Sequence, residues 1–467
     1  MVAGVDSSTQ STKVLLCRAE DGSVVGESSA PHPDGTECDP AAWWRALETA
    51  GSGLLDRADA VAVAAQQHGM VALDDAGQVV RPALLWNDVR SAPQAAELVA
   101  EFGGPREWAR RTGSVPTMSF TVTKLRWMAE HESDNARRTH RVLLPHDWVT
   151  WRLASAGRGP AETFTDRGDA SGTGYYSPAD GTWLPDLAAS ALGHPVDLPK
   201  IAAPAQVVGA TERGVPLGPG TGDNMGAALG LGLVEGDVAI SIGTSGTAYA
   251  VTPVPSADPT GSVAGFADAT GRYLPLVATV NAARVLVATA RVLGTDTADL
   301  SRLALAAAPG ASGITFLPYL DGERTPNRPD ANGVLRGLTS ANMTPENLAR
   351  AAVEAVLCSL ADAIDYLAAL GITPSRVVLI GGASRSGAIR RIAPAIFGVP
   401  VTVPEPAEYV ALGAARQAAW VLSGAAEPPE WPAPAAETYT AEPHPEVRER
   451  YARLREEAAV WQEAKKQ

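Results

Sequence analysis

Cysteine is scarce in this 467-residue chain: Cys17, Cys38 and Cys358 are three in number and far apart. That excludes a disulfide framework and a C-x-x-C metal pair, and each thiol is expected as a small core residue. No apolar run is long enough to span a bilayer. The start shows no basic segment ahead of an apolar one, as a secretory leader would. The expectation is a soluble, cytoplasmic protein. Positive charge is in deficit, with 38 Lys and Arg against 52 Asp and Glu, a net charge of −14 and a pI near 5.0. Nucleic acid and anionic membrane are therefore excluded as partners, since both need a basic surface. An anionic small ligand is still allowed, because backbone N–H groups and one metal ion can hold a phosphate. No G-x-x-x-x-G-K-[ST] loop and no G-x-G-x-x-G fingerprint occurs in a suitable context, which excludes the P-loop and Rossmann readings.

The length suits two or three domains, and 45% hydrophobic residues are enough for large cores. Val2 to Val5, a polar run Asp6 to Lys13, and Val14 to Leu16 read as a β-hairpin. Val238 to Ile242, Gly243 to Thr247 and Ala248 to Val251 repeat that pattern half a chain later. Two α/β domains, each opened by a Ser/Thr-rich hairpin, are predicted. Ala60–Ala64, Val142–Leu144 and Val377–Ile380 read as strands. Helices are predicted at Trp43–Leu55, Glu130–Arg138, Val280–Leu293, Pro345–Leu370, Gly387–Phe397 and Glu446–Lys466. Pro195–Pro219 and Glu427–Glu442 are predicted as surface connections.

Asp223 carries the most informative chemistry. In Gly222-Asp223-Asn224-Met225-Gly226-Ala227-Ala228-Leu229-Gly230 it stands before a run of small residues, near a helix N-terminus that favours its ionised form. An ionised carboxylate in a cleft can take a proton from a hydroxyl; the alternative is a simple helix cap. The turn Asp6-Ser7-Ser8-Thr9-Gln10-Ser11-Thr12-Lys13 can aim N–H and O–H groups at phosphate oxygens, and Asp6 can hold Mg²⁺ through water. Gly243-Thr244 in the second hairpin has the same chemistry, with glycine for close backbone approach. Gly381-Gly382 after Val377–Ile380 lets a ligand lie against the backbone at a helix start. Gln66-Gln67-His68-Gly69 and Trp86-Asn87-Asp88-Val89-Arg90 each follow a strand, where α/β proteins place ligands. Trp86, Asp88 and Arg90 fit a polyol pocket; Asp88 and Arg90 can also simply pair with each other.

On these residues the chain resembles the FGGY carbohydrate kinases, and among them the bacterial xylulokinases. Ser119-Phe120-Thr121-Val122-Thr123-Lys124-Leu125-Arg126-Trp127-Met128-Ala129-Glu130-His131 fits the first family signature. Gly333–Leu338, with Asn347-Leu348 and Ala351–Glu354, fits the second. Phe316 to Pro326 is similar to the family's F-L-P-Y-L-x-G-E-R-T-P segment. The resemblance implies an α/β chain with two RNase H-like domains of the actin/hexokinase-like fold around a central cleft. Residues 1–218 would bind sugar, and 219–467 would bind ATP and carry the catalytic Asp; the terminal helix is free to pack on the N-terminal domain. It implies Asp223 as catalytic base, Asp6 as the acid near Mg²⁺, and Gln67, His68 and Asn224 at the sugar. It implies ATP at Gly243-Thr244 and Gly381-Gly382-Ala383, with Ser386 near the adenosine. The activity implied is transfer of the γ-phosphoryl of MgATP to the 5-hydroxyl of D-xylulose. A sister kinase for ribulose, gluconate, fuculose or glycerol, a non-catalytic sugar sensor and an actin-like ATPase are the alternatives. Sugar and ATP are the partners, and a homodimer is allowed. Two departures stand out: Ser8 occupies the Gly of the usual Asp-x-Gly-Thr, and Gln67 occupies a place where Met is usual.

Overall fold

A computed structural model describes residues 1–155 and 162–464. The opening apolar run forms β1 (Val2–Ser7), which turns into β2 (Ser11–Cys17) and continues to β3 (Val24–Pro31). Asp39 caps α1 (Pro40–Gly51) by accepting from the Ala41 N–H, and the helix buries Trp43, Ala46, Leu47 and Ala50 as one stripe. It ends short of the predicted Leu55 because Ser52-Gly53 follows, and Gly53 adopts a φ of 71°. After β4 (Ala60–Ala65), the first signature segment forms α2 (Thr121–His131), followed by α3 (Ser133–Arg138). The single helix predicted over Glu130–Arg138 is thus broken at Glu132, whose φ of −132° is not helical. Next come α4 (Pro145–Ser155), the single turn α5 (Arg167–Ala170), β5 (Gly209–Ala210), β6 (Pro216–Leu217), β7 (Thr221–Gly222) and α6 (Asp223–Leu231). The second hairpin is β8 (Asp237–Ile242) and β9 (Gly246–Ala250), followed by β10 (Tyr273–Thr279) and α7 (Ala283–Val292). Then α8 (Pro345–Ala369), β11 (Arg376–Ile380), α9 (Gly387–Phe397), β12 (Val401–Pro404), α10 (Tyr409–Ser423), β13 (Ala436–Tyr439) and α11 (Pro445–Ala464) complete the chain. Positions 465 and 466 of the predicted terminal helix lie outside the described residues.

Packing divides the chain into two units. One holds Met1–Leu233, Val251–Pro275 and Ala407–Ala433; the other holds Val234–Ala250, Leu276–Pro406 and Pro434 onward. This differs from a cut at 218/219, because α6 and α10 both pack in the first unit. The terminal helix packs in the second unit, where Arg448 and Arg455 of α11 reach Asp365 and Asp362 of α8. Neither proline-rich stretch is a bare connection. β5 and β6 fall within 195–219 and join the first sheet, and β13 falls within 427–442 and lies along β12.

In the first unit the sheet runs β5-β6-β4-β1-β2-β3, with β7 also on β4. In the second it runs β10-β9-β8-β11-β12-β13. Each hairpin's first strand pairs antiparallel with its second and parallel with a later strand: β1 with β2 and β4, β8 with β9 and β11. The predicted repeat is therefore real at the level of topology. β4 is buried on both faces, as a central parallel strand must be. Val61 and Val63 join the core around Trp43 and Trp148, while Ala60 and Ala62 meet Ala411, Ala415, Ala418 and Ala419 of α10.

Small residues let α6 sit on α10 almost backbone to backbone. A Cβ on Gly413 would lie 1.8 Å from the Gly226 carbonyl oxygen, and one on Gly230 would lie 2.1 Å from that of Tyr409. Helix–helix contact this close admits no side chain. Gly413→Ala is therefore expected to cost at least the roughly 1–3 kcal/mol of ordinary overpacking. Because α6 begins at Asp223, turnover should fall with it. Chemical unfolding and a turnover assay on the same preparation check this; unchanged stability would mean that the two helices are free to separate.

Candidate active site

Strand register explains why the predicted residues of the first unit meet. Both β1 and β7 pair parallel with β4: Asp6 lies level with Ala64 on one side, and Thr221 with Ala64 on the other. The carboxyl ends of the three strands thus deliver Asp6, the 66–69 turn and Asp223 to one edge of the sheet. That edge is where open α/β sheets bind ligands.

Asp223 is the first residue of α6, and the N-cap position belongs to Gly222, so the simple cap reading does not hold. Its Oδ1 accepts from the Asn224 backbone N–H at 2.7 Å and from Asn224 Nδ2 at 2.8 Å. The same Nδ2 donates to Gln67 Oε1 at 3.0 Å. Burial first, and the neighbouring Asp6 charge second, push the Asp223 carboxyl up to about 7. Burial likewise pushes Asp6 up to about 6, against the opposing pull of the Ser8 hydroxyl, which donates to it, and of the Lys13 charge. A carboxyl raised by a neighbouring carboxylate leaves a place for a cation or a proton.

The other predicted residues of this unit divide into two groups. Gln67 and His68 are buried in the turn after β4. Gln67 Nε2 has no hydrogen-bond partner among the described residues. His68 holds a φ of 66°, and its Nδ1 lies 2.7 Å from the Gly172 carbonyl oxygen. Trp86 Nε1 donates to Thr9 Oγ1 at 2.8 Å, which ties the aromatic to the first hairpin tip. Asp88 and Arg90 pair with each other at 2.8 Å, and Arg90 also pairs with Glu37 and stacks 4.8 Å above Trp127. Burial alone would raise the Asp88 carboxyl, but hydrogen bonds from Arg90 and Thr36 outweigh it and hold it below the usual range. Lys13 is tied to Glu408 of the same unit at 2.5 Å. Ser8 is partly exposed and Gln10 exposed at the tip.

In the second unit, β8 and β11 are parallel neighbours with Ser241 level with Ile380, so the Gly243–Ser245 tip and the Gly381–Ala383 turn emerge side by side. Gly381 has a φ of 88°, and a Cβ there would fall 2.8 Å from the Ile242 nitrogen, so only glycine fits. Around Gly382 there is open space. Ser386 caps α9 through Ile389 N and also meets Ser301 Oγ at 3.1 Å. Thr244 is exposed, and the Gly243 carbonyl accepts from Ala283 N at 2.9 Å.

Sequence reasoning missed a buried charge cluster behind Asp223. His146 Nε2 at the start of α4 lies 3.1 Å from Asp147, 3.3 Å from Asp169 and 3.4 Å from Asp166, all buried. Asp166 Oδ2 accepts from the Thr221 hydroxyl at 2.9 Å, two residues before Asp223. The neighbouring Gly220 is held by Gln417 of α10 through both its N–H and its C=O, each at 3.0 Å. Burial would lower the His146 pKa, but the three carboxylates overcome it and raise it to about 9. The available signal was Thr165-Asp166-Arg167-Gly168-Asp169 beside Pro145-His146-Asp147, three acids and a histidine in segments otherwise read as scaffold. Lys124 was missed for the same reason: it lies in α2 and is fully buried.

Two sheets of one topology, each opening on a hydroxyl-rich hairpin, with a carboxylate pair at the ligand edge of the first, define a sugar kinase of the actin/hexokinase-like fold. The chain belongs to the FGGY family of carbohydrate kinases: its N-terminal domain matches residues 1–230 and its C-terminal domain residues 238–422. It is similar to the xylulose kinase of Streptomyces coelicolor, 46% identical over 91% of this chain and 88% of that protein. The xylulose kinase of Streptomyces rubiginosus is likewise 46% identical over 91% of this chain and 88% of that one. Among solved structures, that of xylulose kinase from Bifidobacterium adolescentis superposes with a TM-score of 0.91 at 46% identity, covering 97% of this chain and 99% of that one. The chain is an ATP-dependent sugar kinase. No helix among the described residues is long and apolar enough to cross a membrane.

The charge cluster makes a stability claim. His146→Gln should cost about 3–5 kcal/mol near neutral pH, the usual penalty for stripping one partner from a buried ion cluster. The folded pKa of about 9 lies above the ordinary 6.5, so the contribution of the cation is complete below pH 6.5 and is lost as pH rises through about 9. Denaturant unfolding of both proteins from about pH 6 to about pH 9.5 should show the gap narrowing toward the alkaline end. A gap that widens would contradict a protonated His146.

Proposed function

We propose that the chain transfers the γ-phosphoryl group of MgATP to the 5-hydroxyl of D-xylulose, giving D-xylulose 5-phosphate and ADP. The observation that carries the reading is Asp223: a carboxylate at the ligand edge of the sheet, beside Asp6, with Oδ1 clamped by Asn224. In the proposed reaction Asp223 Oδ2 takes the hydroxyl proton, the freed oxygen bonds to the γ-phosphorus, and the bond to the β-phosphate bridging oxygen breaks. A carboxyl raised to about 7 is matched to proton transfer near neutral pH. The relatives named xylulose kinase, at 46% identity over most of the chain, support the substrate.

Mg²⁺ enters with the nucleotide, and the residues present fit it. Mg²⁺ keeps several waters and needs only one or two carboxylates besides phosphate. Asp6 supplies one, and a cation there would relieve its repulsion with Asp223. Gln67, His68, Asn224 and Asp223 are the proposed sugar contacts. Trp86 offers an apolar face, and Asp88 and Arg90 line that side as a pair. The nucleotide is assigned to Gly243, Thr244, Gly381, Gly382, Ala383 and Ser386, and the phosphates also to the tip Ser8, Thr9, Gln10 and Lys13. The first unit is proposed as the sugar side and the second as the ATP side, with Asp223 on the sugar side. A cytoplasmic location and a homodimer belong to the same proposal. Phosphoryl transfer of this kind rests on positioning and electrostatics.

A coupled ADP-release assay over D-xylulose, D-ribulose, L-ribulose, gluconate and glycerol tests the substrate. D-xylulose should give the highest kcat/KM; another sugar better by tenfold, about 1.4 kcal/mol of transition-state preference, would overturn the substrate while leaving the kinase. Asp223→Asn should lower kcat by about 10²- to 10⁴-fold with the KM for ATP unchanged. Near-normal turnover in the folded variant would remove Asp223 as base. Asp6→Asn should raise the Mg²⁺ concentration needed for half-maximal rate more than it raises the sugar KM. An unchanged Mg²⁺ titration would leave Asp6 as a hairpin residue.

A further inference from the structure

The first family signature, Ser119–His131, has no part in the chemistry described so far, and yet its Lys124 is fully buried. No carboxylate lies within ion-pair distance of that ammonium among the described residues. Its Nζ donates instead to two backbone carbonyls, that of His68 at 2.8 Å and that of Ser119. Burying an ammonium against backbone carbonyls, with the Asp88 charge acting only from beyond ion-pair distance, is expensive and pulls its pKa down to about 7. The first turn of α2 adds a second donor to the same oxygen: Thr121 Oγ1 meets the His68 carbonyl at 3.2 Å.

The residue so held is strained. His68 has a φ of 66°, a left-handed conformation that side chains other than glycine rarely adopt. Such a conformation persists only where the surroundings over-determine it, and it gathers at ligand sites. Here the surroundings are specific. The carbonyl takes the two donors from α2, and the ring Nδ1 lies 2.7 Å from the Gly172 carbonyl oxygen. The ring itself packs 4.8 Å from Phe120 and 5.8 Å from Phe266. Gly172 must be glycine, because a Cβ there would lie 2.7 Å from that Nδ1. Without its donors, the 68–69 peptide would be free to leave the left-handed region. His68 would turn with it, and so would Gln67, whose Oε1 is bonded to Asn224.

We propose that Lys124, assisted by Thr121, is a positioning residue for sugar recognition: its ammonium pins the carbonyl of the strained His68 and so holds His68 and Gln67 in the orientation that reads the sugar hydroxyls. The inference rests on the sugar-kinase reading above and adds to it a selective effect. Sugar affinity and discrimination between D-xylulose and its epimer D-ribulose depend on Lys124, whereas the nucleotide segments at Gly243-Thr244, Gly381–Ala383 and Ser386, which belong to the other unit, do not.

The test uses the full chain and begins with wild-type turnover on the sugar panel. No turnover of any sugar would overturn the functional reading, and this inference with it. Lys124→Met keeps the stem and removes the donors. It should weaken D-xylulose binding, measured by calorimetry without nucleotide, by about tenfold or more, as expected for losing hydrogen bonds from a charged donor. The D-xylulose to D-ribulose ratio of kcat/KM should fall toward one, with the KM for ATP within about twofold of wild type. Thr121→Val should show a smaller effect in the same direction, and Thr121→Ser should restore both numbers. A folded Lys124→Met with unchanged sugar affinity and epimer ratio overturns the proposal. So does a variant that loses thermal stability and raises the ATP and sugar KM values alike, because that is a purely structural role. If Lys124→Met does not fold, the threonine pair decides: Thr121→Val equal to wild type in sugar affinity overturns it.

Discussion

Two carboxylates on either side of one strand, Asp6 buried and Asp223 partly buried, are the constraint on which the proposed chemistry depends. Asp6 and Asp223 flank β4 at its carboxyl end, and the Asp6 charge raises the hold of Asp223 on a proton. Neither would stay there without compensation, since desolvated like charges repel strongly. The compensations are local and visible: the Ser8 hydroxyl and the Lys13 charge at Asp6, and the doubled Asn224 donor at Asp223. In the proposed reaction, what remains uncompensated is the driving force for binding a cation and for taking up a hydroxyl proton. Electrostatic arrangements of this kind do their work because the surrounding groups are fixed before the substrate arrives.

Fixing them is the task of the backbone behind the site. α6 can lie against α10 only because Gly226, Gly230 and Gly413 carry no side chains. Gln417 of α10 grips Gly220, and Asp166 grips Thr221, so the strand entering Asp223 is held from two sides. Behind it, His146 neutralises part of a three-carboxylate cluster. In the second unit the same strand plan serves another purpose. The turn after β11 is pressed against β8 at Gly381, which leaves its neighbour Gly382 exposed in open space. One topology thus presents acids and amides at one sheet edge and bare backbone at the other.

Much of this was legible in the residues. The second hairpin, β4, β11, α8 and α9 are found at or within a residue or two of their predicted places, and the first hairpin differs mainly in that β2 begins three residues early, at Ser11, since each is a strongly patterned run with clear punctuation. Asp223, Asp6 and the Gln67-His68 turn were legible because acids and amides after apolar strands have few structural uses. The fraying of α1 at Gly51 and the break at Glu132 were not, because helix ends turn on one or two dihedrals. Nor was the strand content of 195–219 and 427–442: short edge strands in proline-rich segments exist only because a neighbouring strand offers hydrogen-bond partners.

The sequence by itself determined the class of fold and the family, and it named the residue types of the proposed reaction centre, because these are carried by local apolar patterning and by contiguous motifs. Tertiary structure alone decided which carboxylates feel each other and to which unit α6 and α10 belong. It also decided that Asp88 and Arg90 spend their charges on each other, and that Lys124, His146 and Asp166 stand behind the site. The physical reason is range. Patterning and propensity act over a few neighbouring residues. Burial, Coulomb interaction and backbone contact act through space, between segments such as 6, 146, 223 and 413 that only the fold brings together.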